Sequence, residues 1–393
     1  MISSRIDKIT FSGTMEIAAQ TFELKSKGFD VIDLCVGEPD LPTPDYIKQA
    51  AFEAISSNKT KYTLNTGIKE LRSAISEKYL NEYNAKYLPE EIIVSNGAKQ
   101  SIFNVLQTII NDDDEVLIPK PFYVSYPHMV RLSGGIPIFI DTKKSNNFKP
   151  TVEELQNKIT DKSKALIICN PNNPTGAVFS KSELQNLLNL AVEKDIFIIA
   201  DEIYEKLIYN DAEFVSISSF GEKYKEHLII INGVSKTYAM TGWRIGYALA
   251  PQKIVDGMSK FQSHSTSNAC TISQFAALAA LTHSQETVEE QRKIFEERRN
   301  FITKTLSEIE NISFVEPSGA FYCFIDIFKL IEKYSSLKNS KDFCMQLLHK
   351  SNVATVPGIE FGLENYIRIS YAKSMDELKE AFVRIKDFIQ QMK

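Results

Sequence analysis

The sequence predicts an α/β fold: a large domain with a mostly parallel sheet between helices, plus a smaller α+β domain built from both chain ends. Three observations predict it. Short β-branched runs alternate with helical patterns from about residue 90 onward, the arrangement that folds βαβ units around a parallel sheet. Several runs are apolar at every position, as strands covered on both faces are. After one long charged helix the pattern changes, and strand-like runs return near the C-terminus.

EIIVS (91–95) opens the series; NGA turns the chain, and KQSIFNVLQTIIN carries helical periodicity. EVLIP (115–119), KALIIC (164–169), IFIIA (196–200), LIIIN (228–232) and RIGYALA (244–250) follow as strand candidates. From about residue 284 the stretch SQETVEEQRKIFEERRNFITKTLSEIE reads as one amphipathic helix. Beyond it lie GAFYCFIDI, a helical stretch, YIRISYA and a final helix ending near Lys393. The expected division is 44–284 for the large domain and 285–393 for the small one. The N-terminal segment 1–43 is expected to pack with the small domain, because its short elements cannot make a core alone.

A chain of 393 residues, 43% hydrophobic and 24% charged, suits two globular domains with a sizeable core. The net charge of -5 is spread along the chain without a long basic run, so neither nucleic acid nor an anionic membrane surface is an expected partner. The opening MISSRIDKITFSGTMEIAAQ lacks the apolar core of a secretory signal, and no stretch approaches the length needed to span a bilayer. The 5 cysteines are scattered and form no CxxC pair, which reads as free thiols in a reducing, cytoplasmic setting. The 5 histidines are equally dispersed, and no metal site is expected.

Open α/β sheets bind ligands beyond the carboxyl ends of their strands, so the loops there carry the functional reading. In SNGAKQ (95–100), Gly97 and Ala98 let the backbone approach a ligand at a helix N-terminus, which makes an anion site or an ordinary strand–helix turn. CNPNNPTGAVFS (169–180) is turn chemistry that would also hold the Asn173 amide rigidly over the sheet edge. Asp201 ends an apolar run, where a carboxylate needs a partner; it is either a helix N-cap or a ligand group, and Tyr204 follows on the same side of a helical turn. In NGVSKTYAMTGWRIGYALA (232–250), Lys236 sits between two apolar strands, with Arg244 in the same loop. Such a lysine is either a solvated charge or an amine nucleophile with a depressed pKa, and the arginine suits a phosphate.

A lysine nucleophile, a carboxylate for a pyridinium nitrogen and anion ligands from a helix N-terminus plus an arginine are what pyridoxal phosphate requires. At these residues the chain resembles the fold-type I, class I aminotransferases, in particular the aspartate aminotransferase branch common in bacteria. The resemblance runs through nearly the whole sequence: VGEPDLPTP, KTKYTLNTGIKELRSAI, PFYVSYP, NPNNPTG, DEIYE, SKTYAMTGWRIGYA, PSGAFY and YIRISYA occur in the family's order and spacing. It implies pyridoxal phosphate as cofactor, with Lys236 as the Schiff-base lysine and proton shuttle. It also implies Asp201 at the pyridinium N–H, Tyr204 and Asn173 at the phenolic oxygen, and Tyr123 stacked on the ring. Arg244 with the backbone of Gly97, Ala98 and Lys99 would hold the phosphate. Tyr62 would reach the phosphate of a neighbouring subunit, which implies a homodimer with shared active sites. Arg368 would fork the substrate α-carboxylate beside the Gly37 N–H. By the same resemblance, Pro121 and Pro174 are expected to follow cis bonds.

Substrate choice rests on a smaller set. Lys99, with Ser12 and Thr14 of FSGTMEIAAQ, matches the residues that accompany dicarboxylic substrates in this branch. An ammonium and two hydroxyls suit the distal carboxylate of aspartate or glutamate; otherwise Lys99 serves through its backbone alone. The expected substrates are therefore an amino acid and a 2-oxo acid, aspartate and 2-oxoglutarate, with prephenate as a further acceptor. Aromatic or alanine transamination, or carbon–sulfur lysis on the same cofactor, are the alternatives.

Overall fold

The computed structural model describes residues 2–10 and 13–392, and the side chains of residues 13–15 are outside that description. Its centre is a seven-stranded sheet of Ile92–Ser95 (β1), Glu115–Pro119 (β2), Ile136–Ile140 (β3), Ser163–Cys169 (β4), Phe197–Asp201 (β5), Leu228–Gly233 (β6) and Gly246–Leu249 (β7). The spatial order is β1-β7-β6-β5-β4-β2-β3. β2 to β6 pair in parallel, whereas β7 runs antiparallel to both of its neighbours. The fully apolar runs have their explanation here. In β6, Ile229 and Ile231 belong to the core on one face, and Leu228 and Ile230 to the core on the other. The strand at Ile136–Ile140 is apolar throughout, but Pro137 within it weakens the strand signal; such a proline is tolerated here because the strand lies at the sheet margin and is only partly covered.

A second sheet has four strands: Ser313–Phe314 (β8), Tyr322–Asp326 (β9), Val356–Pro357 (β10) and Tyr366–Ser370 (β11), in the order β10-β11-β9-β8 and antiparallel throughout. The N-terminal segment joins this part of the molecule. Ile32–Asp33 pairs in parallel with Val353–Ala354, and the Ser370 N–H donates to the Leu34 carbonyl at 2.8 Å. The helix Glu286–Ser307 begins beside the turn that carries Lys236, where Gln291 Nε2 donates to the Lys236 carbonyl at 2.8 Å. Among the described residues, no helix is long and apolar enough to cross a membrane.

Two local expectations need correction. The Lys120–Pro121 bond is cis as expected, but the second cis bond is Asn170–Pro171, not the one before Pro174. The chain leaves β4 at Asn170, whose N–H still bonds the Asp201 carbonyl at 2.9 Å and whose Oδ1 accepts from the Phe179 N–H at 3.0 Å. The reversal therefore falls one residue after the strand, while 172–176 close a separate turn through Gly176 N–H to Asn172 O at 2.8 Å. In addition, no helix follows Asp201. Residues 203–206 form a turn, with Glu202 and Glu205 facing buried partners rather than solvent.

The stretch that leads into the helix Asp45–Ser56 is fastened to the 286–307 helix by an ion pair. Arg298, buried on the 286–307 helix, donates from both Nη atoms to Asp40 at 2.5 and 2.9 Å. Removing one partner of such a pair leaves a buried charge uncompensated. Asp40→Ala is expected to lower stability by about 3 kcal/mol, read as the shift of the urea unfolding midpoint, and Asp40→Ala/Arg298→Met should recover most of that loss.

Candidate active site

Five loops at the carboxyl ends of β1, β2, β4, β5 and β6 converge on one cavity of about 530 Å³. The antiparallel β7 presents its amino-terminal end at the same edge, and this brings Arg244 to a cavity otherwise built after strands. Ala98, Lys99, Tyr123, Asn173, Asp201, Tyr204, Lys236, Arg244, Arg368 and Gly37 all line it. Gly97 lies directly behind, at φ +87, where a Cβ would collide with Arg244 Nη2. A Cβ at Gly246 would collide with the Ala98 nitrogen, so bare backbone is required on both sides of this corner. The helix Ala98–Ile109 starts here, and its first N–H groups have no intrahelical acceptor.

Lys236 Nζ donates to the Gly37 carbonyl at 2.6 Å. Burial pushes its amine down to about 8, with Glu38 opposing that shift and Arg244 and Arg368 adding to it. Burial pushes the Asp201 carboxyl up to about 6, opposed by the Tyr126 hydroxyl, which donates to Oδ2 at 2.7 Å, by the Ile203 N–H and by Lys236. The Tyr204 and Tyr322 hydroxyls are 3.0 Å apart. Burial first, then Tyr322, holds the Tyr204 phenol well above its ordinary value, so it stays a neutral donor. Arg368 is buried; Nη1 donates to Asn173 Oδ1 at 3.1 Å and Nη2 to the Cys35 carbonyl at 2.6 Å, while Nε has no partner.

One expected residue lies apart, and two cannot be placed. Tyr62 is 91% exposed and does not line the cavity of its own chain. Ser12 lies outside the described residues, as does the side chain of Thr14, although the helix Gly13–Ser26 contains that position. Lys99 is exposed at the mouth, with Nζ 5.5 Å from the centre of the Tyr123 ring. Sequence reasoning missed Tyr126 and Tyr322. The first is visible only once β2 and β5 are brought together; the second stands in the GAFY motif and could have been singled out there.

Lys99, Lys236, Arg244 and Arg368 face a single lining carboxylate, Asp201, so the cavity suits anionic ligands in a chain that is acidic as a whole. A helix N-terminus with an arginine offers one anion cradle, and the Arg368 fork offers another across the cavity. An amine and a carboxylate, both buried, lie in the same space. These groups fit a cofactor with a phosphate, a protonated ring nitrogen and a carbon that bonds to an amine. Fold and site together define an α/β protein with a lysine and a carboxylate facing one anion-binding cavity.

The chain belongs to the aminotransferase class I and II family, whose model matches residues 30–385. It is 45% identical, over 99% of both chains, to an aspartate aminotransferase of Bacillus sp. (strain YM-2). It is 42% identical to a protein of Aquifex aeolicus named "probable aspartate/prephenate aminotransferase", covering 100% of this chain and 99% of that one. The solved aspartate aminotransferase of Rhizobium meliloti superposes with a TM-score of 0.96 at 37% identity, covering 100% of both chains. The architecture is accordingly fold type I, and the protein is an aminotransferase.

The depressed amine has a direct consequence. An unperturbed lysine is protonated up to about pH 10.4, whereas a group at about 8 gains its neutral, reactive form two units lower. In cofactor-free protein, labelling of Lys236 by an amine-directed reagent, followed by peptide mass spectrometry, is expected to reach half its maximum near pH 8. Labelling that rises only alongside the exposed lysines would contradict the burial account.

Proposed function

We propose that this enzyme transfers the amino group of aspartate to 2-oxoglutarate using pyridoxal phosphate, and that prephenate is a further amino acceptor. The observation that carries the reading is the meeting of Lys236, Asp201 and Arg368 in one cavity. The names of the relatives support the substrate pair and the prephenate activity. Pyridoxal phosphate, when bound, supplies a carbonyl carbon that bonds to amines and a ring that takes up electron density.

The chain's own residues divide the remaining work. Arg244 and the N–H groups of Ala98 and Lys99 hold the phosphate, with Gly97 leaving room for it. Tyr123 covers one ring face. Asp201 keeps a proton on the ring nitrogen; its carboxylate form, favoured by the Tyr126 hydroxyl, is the one that can do so. Tyr204 and Asn173 donate to the phenolic oxygen. Arg368 and the Gly37 N–H grip the substrate α-carboxylate and thereby orient the Cα–H bond. Lys236 Nζ, which burial makes easier to deprotonate than an exposed lysine, takes up the Cα proton in its neutral form. Lys99, with Ser12 and Thr14, pairs the distal carboxylate. Tyr62, exposed on each copy, reaches the phosphate site of a second copy, so the working unit is a homodimer. The domain limits 1–43, 44–284 and 285–393 and a cytoplasmic location belong to the same proposal.

A spectral titration tests the reaction. The purified enzyme is expected to show the visible band of lysine-bound cofactor, to lose it on adding aspartate or glutamate, and to regain it with 2-oxoglutarate, oxaloacetate or prephenate. Release of ammonia and pyruvate from a cysteine-type substrate, without dependence on an oxo acid, would instead mark a carbon–sulfur lyase. Phenylalanine or alanine turned over in preference to aspartate would overturn the substrate choice.

Lys99→Ala tests the distal site. Loss of a charge-assisted bond is expected to lower kcat/KM for aspartate roughly ten- to a hundredfold while leaving that for alanine unchanged. An equal effect on both amino acids would confine Lys99 to its backbone role.

A further inference from the structure

Arg368 is a buried cation without a counter-ion. Among the described residues no carboxylate pairs with it; its two bonds go to neutral oxygens, and Nε bonds to nothing. A guanidinium so placed needs another source of stabilisation. Two aromatic rings provide it: the centre of Tyr322 lies 4.5 Å from the guanidinium carbon and that of Phe361 5.0 Å. An acidic side chain there would neutralise the fork and compete with an incoming carboxylate. A ring face stabilises the cation and leaves its charge available.

Phe361 is the less obvious of the two, because it is fully buried and does not line the cavity. It ends the single turn Gly358–Phe361, and its carbonyl accepts from the Phe122 N–H at 3.2 Å, next to Tyr123. Its ring meets Phe324 edge-on at 5.8 Å, and Phe324 stacks on Tyr366 at 4.8 Å. Phe148 packs edge-on against both of these, so the ring that touches Arg368 is locked from behind by an aromatic cluster.

We infer that Phe361 is a positioning residue for carboxylate recognition: its ring face supports the Arg368 guanidinium unpaired and directed at the cavity. The inference rests on the reading of Arg368 as the fork for the substrate α-carboxylate. Leu or Met at 361 would fill most of the volume but present no ring face.

The test uses the holoenzyme and succinate, a non-reacting dicarboxylate, with binding read by calorimetry and by the perturbation of the cofactor band. Phe361→Leu and Phe361→Met are expected to weaken succinate roughly three- to tenfold and to raise KM for aspartate more than they lower kcat. Replacing Phe361 with mono-, di- and trifluorophenylalanine drains the ring face with little change of shape, so succinate affinity should fall step by step. This series decides the matter even where Leu or Met impairs folding. Unchanged affinity across the fluorinated series, or wild-type affinity in folded Leu and Met variants, would reduce Phe361 to a packing residue. Arg368→Leu separates the two claims. If it binds succinate as wild type does, the carboxylate reading itself fails; if it does not bind while fluorination has no effect, only the role of Phe361 falls.

Discussion

Asp201 and Lys236 bring opposite charges to the same cavity, one at the end of β5 and the other in the turn after β6, the strand beside it. Burial opposes the charged form of each. Their mutual attraction opposes burial, pulling the carboxyl down and the amine up. Neither group could keep its place relative to the other on a flexible loop. The parallel strands beneath supply the rigidity: Ile198, Ile199 and Ala200 lead into Asp201, and Leu228 to Ile231 lead towards the lysine turn, all of them buried. Arg244 with the helix N-terminus, Tyr123 and Arg368 are arranged around that pair.

The turn after β5 shows how such a site is kept from relaxing. Asp201 and Tyr204 face the cavity, while Glu202 and Glu205 between and after them face the protein interior. Glu202 accepts from Ser216 Oγ and the Ile217 N–H, both at 2.8 Å, and burial raises its carboxyl to about 8. Burial would raise Glu205 as well, but Lys78, at 2.6 Å, and the Tyr83 hydroxyl hold it below its usual value. The turn is thus fastened from behind by polar groups that take no part in the chemistry. A helix would have carried these side chains to one face; the turn divides them between two.

Much of this was legible in the sequence, for reasons that can be named. Strands covered on both faces must be apolar throughout, so β4, β5 and β6 stood out, and the loops after them had to bear the ligands. Lys236 and Asp201 were conspicuous because a charge at the end of such a run is costly. The edge strand Ile136–Ile140 escaped notice although it is apolar throughout, since a proline at its second position argues against a strand except at a sheet edge. The antiparallel direction of β7 was hidden for another reason: direction is set by which neighbours a strand finds, not by its composition. Pro171 and Pro174 are indistinguishable as residues; only the bonds of Asn170 to β5 and to Phe179 decide where the chain reverses. Tyr126 is a further case, a buried tyrosine whose meaning lies in a carboxylate from a different strand.

The arginines sharpen the distinction between holding the fold and serving the site. Arg298 and Arg299 are as buried as Arg368, and each has a carboxylate within 2.6 Å. Arg368 has none, yet lack of an ion pair does not by itself mark a functional residue. Arg72 is also buried with a neutral partner, the Pro89 carbonyl at 2.7 Å, and lies away from the cavity. Arg368 shares an unpartnered Nε with Arg72, but differs because open space lies before it and two rings lie against it. A structural arginine has spent its charge on the protein. The charge of Arg368 is sustained by groups that cannot neutralise it, and only an anion entering the cavity completes the balance.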